Sequence, residues 1–443
     1  MKGPMNQRKI AEPLEEECLS YNTNNFSGNG KLEVTYKTAI TGLKDIAVAY
    51  TPGVSHSMKK ILSNREEIFQ YTSKGNMIGV LTDGTAVLGW GNIGPEAALP
   101  VMEGKAMMFK MLAGVDAFPI CVDSTGKEEF IKIAKSISTV FGGYNLEDIS
   151  APDCFEIVDR LQSEIDIPIF HDDQHGTATV VLGALNNALH LVGKDIDKVK
   201  IVINGAGASG IATGQLLLKA GAKNIVMCDT AGTIFEGRHE NMNPYKEQMA
   251  KVTNKNKIKG KLMDAACGGD VLLGLSAQGQ ISPEMVATMN TDSIVFAMAN
   301  PVPEIMPEQA RASGARIVAT GRYDFPNQVN NVVGFPGIMR GALDVRAKRI
   351  TSEMLIAAAE AISSIVKEEE LEDDYIVPTP LHPDLYPLVA RAVAEAAMKI
   401  GIARVQRDPD EIESTVRYIT GVIRERFDFF KDILDRPGEN KEA

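Results

Sequence analysis

The chain has 443 residues, 44% of them hydrophobic and 23% charged, which suits two or three domains with sizeable buried cores and excludes a disordered polymer. A formal net charge of −12 argues against a nucleic-acid surface, so an anionic ligand has to be gripped by local cations, backbone amides or a metal. The N-terminal MKGPMNQRKIAEPLEEE has no apolar signal core, no run of about 18 apolar residues occurs, and the five cysteines form no CxxC pair, so a cytoplasmic protein with reduced thiols and no membrane partner is expected.

In chain order, AVAYTPGV (47–54) ends an apolar run at Tyr50 just before a Pro-Gly turn; such a ring serves either as an acid or as packing with a wet tip. MIGVLTDGTAVLG (77–89) is hairpin-like, turning at Asp83-Gly84. VMEGKAMMFKMLAGV (101–115) is apolar nearly all round and predicts a buried helix carrying Lys105. Desolvation there favours a neutral amine able to act as a base, the alternative being a lysine that snorkels to the surface. GGYNL (142–146) and the run ending at Phe170 read as short buried strands, with an amphipathic helix opening at Pro152-Asp153 between them. A strand, crossover helix and second strand in one sheet run parallel, so Glu147-Asp148 and Asp172-Asp173 leave the same edge and meet. Four carboxylates in one crevice repel unless protons or a cation compensate them, and their hard oxygens suit Mg²⁺ or Mn²⁺. Asp173 could instead serve only as the N-cap of the helix that follows. His171 and His175 have a spacing seen in zinc sites, although Gly176 and the carboxylates favour a strand-to-helix loop.

Residues 199–320 alternate strands (VKIVIN, NIVMCD, DVLLGL, SIVFAM, ARIVAT) with helices, a doubly wound α/β pattern. After the first strand comes Gly205-Ala206-Gly207-Ala208-Ser209-Gly210, a GxGxxG that opens a helix, and Asp229 closes the next strand. This is a dinucleotide loop: Gly205 for the tight turn, Gly207 for close approach of the pyrophosphate, Gly210 for helix packing. Asp229 would bind a ribose 2′-hydroxyl and repel a 2′-phosphate, and no Arg or Lys appears until Arg238, so NAD is favoured over NADP. Beyond residue 345 the composition turns helix-forming and charge-rich. The expected architecture is α/β throughout: a metal and substrate domain (1–175), a Rossmann-type NAD(P) domain (176–345) and a C-terminal helical segment (346–443).

AYTPGV, EGKA, NLED, FHDDQHGTA, GAGASGIA, MANPVPE and NNVVGFPG, in this order over roughly residues 30–400, resemble the malic enzyme family in its short prokaryotic-type form. The resemblance implies oxidative decarboxylation of (S)-malate to pyruvate and CO₂ with NAD(P)⁺ and Mg²⁺ or Mn²⁺. By motif, Tyr50 resembles the general acid and Lys105 the general base. Asp172 resembles the carboxylate paired with that lysine, and Glu147, Asp148 and Asp173 the metal ligands. Asn300 and Asn331 look like substrate-side amides, with Asn300 also beside the cofactor. A homodimer or higher homo-oligomer is implied as well. Larger members of the family carry an arginine where Ala86 stands, so the cation expected to hold a substrate carboxylate is missing from this loop. Two rivals remain at this level: a malolactic-type enzyme that releases lactate, and a non-catalytic nucleotide-dependent regulator on the same fold.

Overall fold

The computed structural model describes residues 15–23, 29–87 and 89–434; the start of the N-terminal stretch, the Cys18 side chain and Leu88 of the TDGTAVLG loop lie outside the described residues. The first sheet contains β1 (Met77–Thr82), β2 (Asp116–Cys121), β3 (Gly143–Leu146) and β4 (Ile169–His171), in the order β2-β1-β3-β4. All its pairings are parallel, so each connection crosses over through a helix: Gly94–Ala113, Lys127–Ile137 and Asp153–Glu164. The last of these buries Phe155, Ile157, Val158 and Leu161 at the spacing read from the sequence.

The hairpin expected at Asp83-Gly84 does not form. β1 is a central strand, with Ile78, Val80 and Leu81 fully buried and both hydrogen-bonding edges already taken by β2 and β3. The Asp-Gly pair still turns the chain: Gly84 has φ +70°, and the Asp83 carboxylate accepts from the Thr85 amide at 3.1 Å. The segment beyond makes only a local bridge between Val87 and Gly91.

The second sheet holds β5 (Lys200–Asn204), β6 (Asn224–Asp229), β7 (Gly232–Thr233), β8 (Val271–Gly274), β9 (Ser293–Ala297) and β10 (Ala315–Thr320), in the order β10-β9-β8-β5-β6-β7. Every pairing is parallel except the two-residue β7 on the edge. Between β5 and β8 the strand order reverses, opening the crevice where doubly wound sheets bind ligands.

One continuous apolar core joins the two sheets, running from Ile78, Phe109 and Tyr144 to Ile201, Ile203 and Phe296. The helix Phe335–Asp344 is a bolt that fastens the C-terminal helices to the helix Gly94–Ala113 of the first sheet. Its Phe335 ring meets Phe109 edge-on at 4.7 Å, a contact worth about 0.5–1.5 kcal/mol beyond area burial. Its Arg340 is paired with Asp344 and donates to the Asn76 side chain at the start of β1. The helices Ser352–Ile365 and Leu385–Lys399 pack against it and against each other, and Ser352–Ile365 also packs against Thr177–Val192. By contrast, the helices Leu43–Ala49 and Val54–Ser63 bury no residue, and Val34, Leu43, Val48 and Leu62 stand exposed. Among the described residues, no helix is long and apolar enough to cross a membrane.

Candidate active site

Because β3 and β4 are adjacent and parallel, with Leu146 opposite His171, the acidic pairs that follow them leave the sheet side by side. Glu147, Asp148 and Asp173 place carboxylate oxygens within 4.8 Å of one another. The Asp148 amide donates to Asp173 at 3.1 Å, locking the two turns together. Asp172 faces elsewhere. Fully buried, it ion-pairs with Lys105, and its Oδ1 has no hydrogen-bond partner.

The helix Gly94–Ala113 presents Lys105 inward, with its side chain only 9% exposed. Its ammonium meets Glu147 at 3.0 Å as well as Asp172, and lies 4.1 Å from the Phe335 ring centre. The snorkelling alternative is thereby excluded, and the neutral amine expected from desolvation is not found either. Burial does disfavour the ammonium, but the Asp172 and Glu147 carboxylates outweigh it and hold the lysine well above its usual range. Desolvation of the lysine alone was the wrong reference, because it is buried together with its counter-ions.

Four carboxylates around one ammonium leave excess negative charge, and Asp172, Asp173 and Glu147 bind protons more tightly than usual. Burial pushes Asp172 up to about 7, and burial with the neighbouring Asp172 charge pushes Asp173 up to about 6. Glu147 is likewise raised, by burial first. A divalent cation fits this donor set, which consists of hard, acceptor-only oxygens whose mutual repulsion a cation relieves. Among the described residues the converging group contains no imidazole, although the His171 Nδ1 lies 3.8 Å from Asp173. His171 and His175 are held far below the usual range by burial, at about 3 and about 4, and the His175 Nδ1 is occupied as acceptor for the His171 amide at 3.1 Å. They brace a single π-helical turn, Asp172–Gly176, from which Asp172 and Asp173 project.

Tyr50 is not brought to this cluster. At the end of the helix Leu43–Ala49 it is 71% exposed, and it makes no hydrogen bond to Lys105 or to the carboxylates. At Ala86 the backbone amide donates to the Asp148 carbonyl at 2.9 Å, and the neighbouring Thr85 hydroxyl accepts from the Ser150 amide at 2.9 Å, so the loop supports the acidic turn without a cation.

The glycine loop behaves as its sequence demands. Gly205 has φ +129°, and a Cβ there would collide with the Leu275 carbonyl; one at Gly210 would strike the Gly205 carbonyl. Around Gly207 nothing lies within 4 Å, which leaves the open cradle that a pyrophosphate needs, with Ala206, Ala208 and Ser209 leading into the helix Ala208–Lys219. Asp229 ends β6 as expected, but it is not an unopposed carboxylate. Arg238 binds it through two hydrogen bonds and Lys246 donates to it at 2.7 Å. Burial alone would raise Asp229; Arg238 and Lys246 prevail and lower it. The electrostatic ground for rejecting a 2′-phosphate therefore falls, while the dinucleotide loop itself stands.

Asn300 follows β9 and borders Gly321, where a Cβ would lie 3.0 Å from the Asn300 amide nitrogen. Asn331 adjoins Gly176, next to Asp172. Two supporting residues have no role in the sequence reading. Glu304, fully buried, accepts the amides of Ser276 and Ala299, each at 2.9 Å, tying the loop after β8 to the loop that carries Asn300. An acid in the otherwise apolar PVPEIM stretch is its only sequence signal. Phe335 covers Lys105, and nothing local announces that contact.

A dinucleotide loop on one sheet, facing a carboxylate and lysine cluster built by another, defines a metal-assisted, nicotinamide-dependent oxidoreductase. Residues 29–162 match the malic enzyme N-terminal domain and residues 174–401 the malic enzyme NAD-binding domain. The chain is 53% identical over 407 residues to the bifunctional malic/malolactic enzyme of Bacillus subtilis (strain 168), covering 92% of this chain and 98% of that one. It is 51% identical over 380 residues to the NAD-dependent malic enzyme of Geobacillus stearothermophilus, covering 86% and 79%. The crystal structure of malic enzyme from Pyrococcus horikoshii Ot3 superposes with a TM-score of 0.89 at 47% identity, covering 93% of this chain and 96% of that one. The chain belongs to the malic enzyme family.

Proposed function

We infer that the protein catalyses the divalent-metal-dependent oxidative decarboxylation of (S)-malate to pyruvate and CO₂ with reduction of NAD(P)⁺. The observation that carries this is the convergence of Glu147, Asp148 and Asp173 beside the buried Lys105–Asp172 pair. In this reading Glu147, Asp148 and Asp173 hold Mg²⁺ or Mn²⁺, and Gly205–Gly210 with Asp229 seat the dinucleotide. Asn300 and Asn331 contribute neutral amides on the substrate side. A bound cation would supply positive charge that favours loss of the hydroxyl proton and of CO₂. Lys105 takes the C2 hydroxyl proton as hydride leaves for the nicotinamide, after passing its own proton to Asp172, whose raised proton affinity suits it to the exchange. Phe335 and the closed packing around Lys105 keep water from that proton.

Protonation at C3 is assigned to Tyr50, and its exposure leads us to place it in the site of a second copy of the chain, giving a homodimer or a higher assembly. The apolar side chains beside it, Leu43, Val48 and Val54, offer that copy a surface to cover. We divide the chain into a metal and substrate domain to residue 175, a dinucleotide domain to 345 and a helical segment beyond. The free thiols Cys121, Cys154, Cys228 and Cys267 support a cytoplasmic location.

The relative named as a bifunctional malic/malolactic enzyme keeps one second reading alive, release of lactate instead of pyruvate. Purified protein incubated with malate, Mn²⁺ and either NAD⁺ or NADP⁺, with nicotinamide reduction, pyruvate and lactate followed together, tests both. Pyruvate formed in step with reduced nicotinamide supports oxidative decarboxylation; lactate without net reduction supports the other; neither product refutes both.

A further inference from the structure

Glu147, Asp148, Asp172 and Asp173 outnumber Lys105, and a divalent cation offsets only part of the difference. On the reading above, the substrate brings two more carboxylates, so the pocket needs a further cation, and Ala86 supplies none. Arg238 and Lys246 are committed to Asp229 at the end of β6, and Arg340 to Asp344. Arg322 is paired as well, with Asp324, but it stands beside the loop that carries Asn300. It follows β10, one residue after the Gly321 that touches the Asn300 amide. Its Nη1 donates to the Pro301 carbonyl at 2.7 Å, and Asn330, next to Asn331, donates to the Gly321 carbonyl at 3.4 Å. Asn331 in turn adjoins Gly176 and Asp172. The guanidinium is thus connected through short contacts to both substrate-side amides. Asp324 grips it from one edge with two 2.8 Å hydrogen bonds, and the Phe325 ring lies 5.7 Å away, so the fork is fixed in orientation while the side chain keeps 20% exposure.

We propose that Arg322 binds the carboxylate that the substrate keeps. A planar, permanently charged fork matches a carboxylate, and holding it in advance reduces the entropy lost on binding. The assignment to the retained carboxylate follows from charge flow. The departing carboxylate gives up its charge on becoming CO₂, so a cation on it would stabilise the ground state more than the transition state. Neutral amides such as Asn300 and Asn331 suit that group. The retained carboxylate stays anionic from malate to pyruvate, so an arginine there strengthens the binding of substrate, transition state and product alike.

The test compares wild type, Arg322→Ala, Arg322→Gln and Arg322→Lys, with Mn²⁺ present throughout. Malate KM and kcat are measured by steady-state kinetics, and pyruvate affinity by calorimetric titration of the NADH-loaded protein, which needs no turnover. A charge-assisted hydrogen bond corresponds to roughly 10- to 100-fold in affinity. Arg322→Ala should therefore raise the malate KM and the pyruvate dissociation constant by similar factors of about that size, with kcat changed much less, and Arg322→Lys should recover part of the loss. Arg322→Gln serves if the alanine variant does not fold. Weaker malate binding with unchanged pyruvate binding would put the arginine on the departing carboxylate and overturn the proposal. A loss confined to the dinucleotide would overturn it in favour of cofactor binding, and unchanged constants would overturn it outright. A wild type that binds pyruvate but does not oxidise malate would refute the proposed reaction, not the placement of Arg322.

Discussion

Replacing Lys105 by methionine keeps much of the side-chain volume under Phe335 but leaves Glu147 and Asp172 buried without their ammonium. Breaking a buried ion pair in this one-sided way costs about 3–5 kcal/mol. With an unfolding entropy of about 2.1 cal/mol/K per residue, the 443-residue chain has roughly 0.9 kcal/mol/K, so Tm should fall by about 3–5 °C. A divalent cation should recover much of that loss, since Glu147 belongs to the cluster proposed to hold it. Activity should respond on a different scale: loss of a positioned base costs typically 10²–10⁴-fold, here in the hydride-transfer step. Thermal denaturation with chelator or with Mn²⁺, alongside single-turnover nicotinamide reduction, measures both. If Lys105→Met reduces NAD⁺ with malate at the wild-type rate, the lysine is not the base. If its metal-free Tm equals that of wild type, the buried pair is not holding the cluster together.

Asp173→Ala should weaken Mn²⁺ binding by more than 10-fold in calorimetry, beyond the lower range seen for residues one shell further out, and chelation should abolish wild-type turnover; full malate oxidation by metal-stripped protein contradicts the assignment. Gly207→Ala should fold with wild-type stability yet lose dinucleotide affinity, because its Cβ meets open space, whereas Gly210→Ala should lower stability itself by striking the Gly205 carbonyl; equal effects on folding would argue against the cradle. Mixing Tyr50→Phe with Lys105→Ala subunits, each nearly inactive alone, should restore part of the turnover if the tyrosine serves a neighbouring copy, and recovery of nothing would return it to its own chain. Glu304→Leu should cost about 1–3 kcal/mol for each amide it orphans, read by chemical denaturation. Since burial raises the folded proton affinity of Glu304, its contribution is complete below the unfolded value of 4.5 and is lost as pH rises through the higher folded one, so the stability of wild type relative to Glu304→Gln should decline over that window.

Elements whose signal is local were legible. The apolar runs of β3 and β4 with the amphipathic helix between them predicted a parallel unit, and that alone brought the four acids to one edge. The glycine loop was equally plain, because strand, turn and helix all follow in sequence. Misreadings came where a distant partner decides the outcome. Asp83-Gly84 signals a turn, but only the full sheet reveals that β1 has no edge left for a hairpin. Lys105 lies in an apolar helix, yet its protonation is set by Asp172, 67 residues away. Arg238 was visible nine residues after Asp229, and its fold back onto that carboxylate was not.

The bolt helix Phe335–Asp344 has a consequence for the order of events as the chain is made. Phe335 covers a lysine 230 positions earlier, and Arg340 clasps Asn76 across 264. Contacts of such sequence separation form late, after more local units have gathered. Until residue 335 has emerged from the ribosome, Lys105 has no aromatic cover, and the first sheet can present its acidic edge without the surroundings that make it selective.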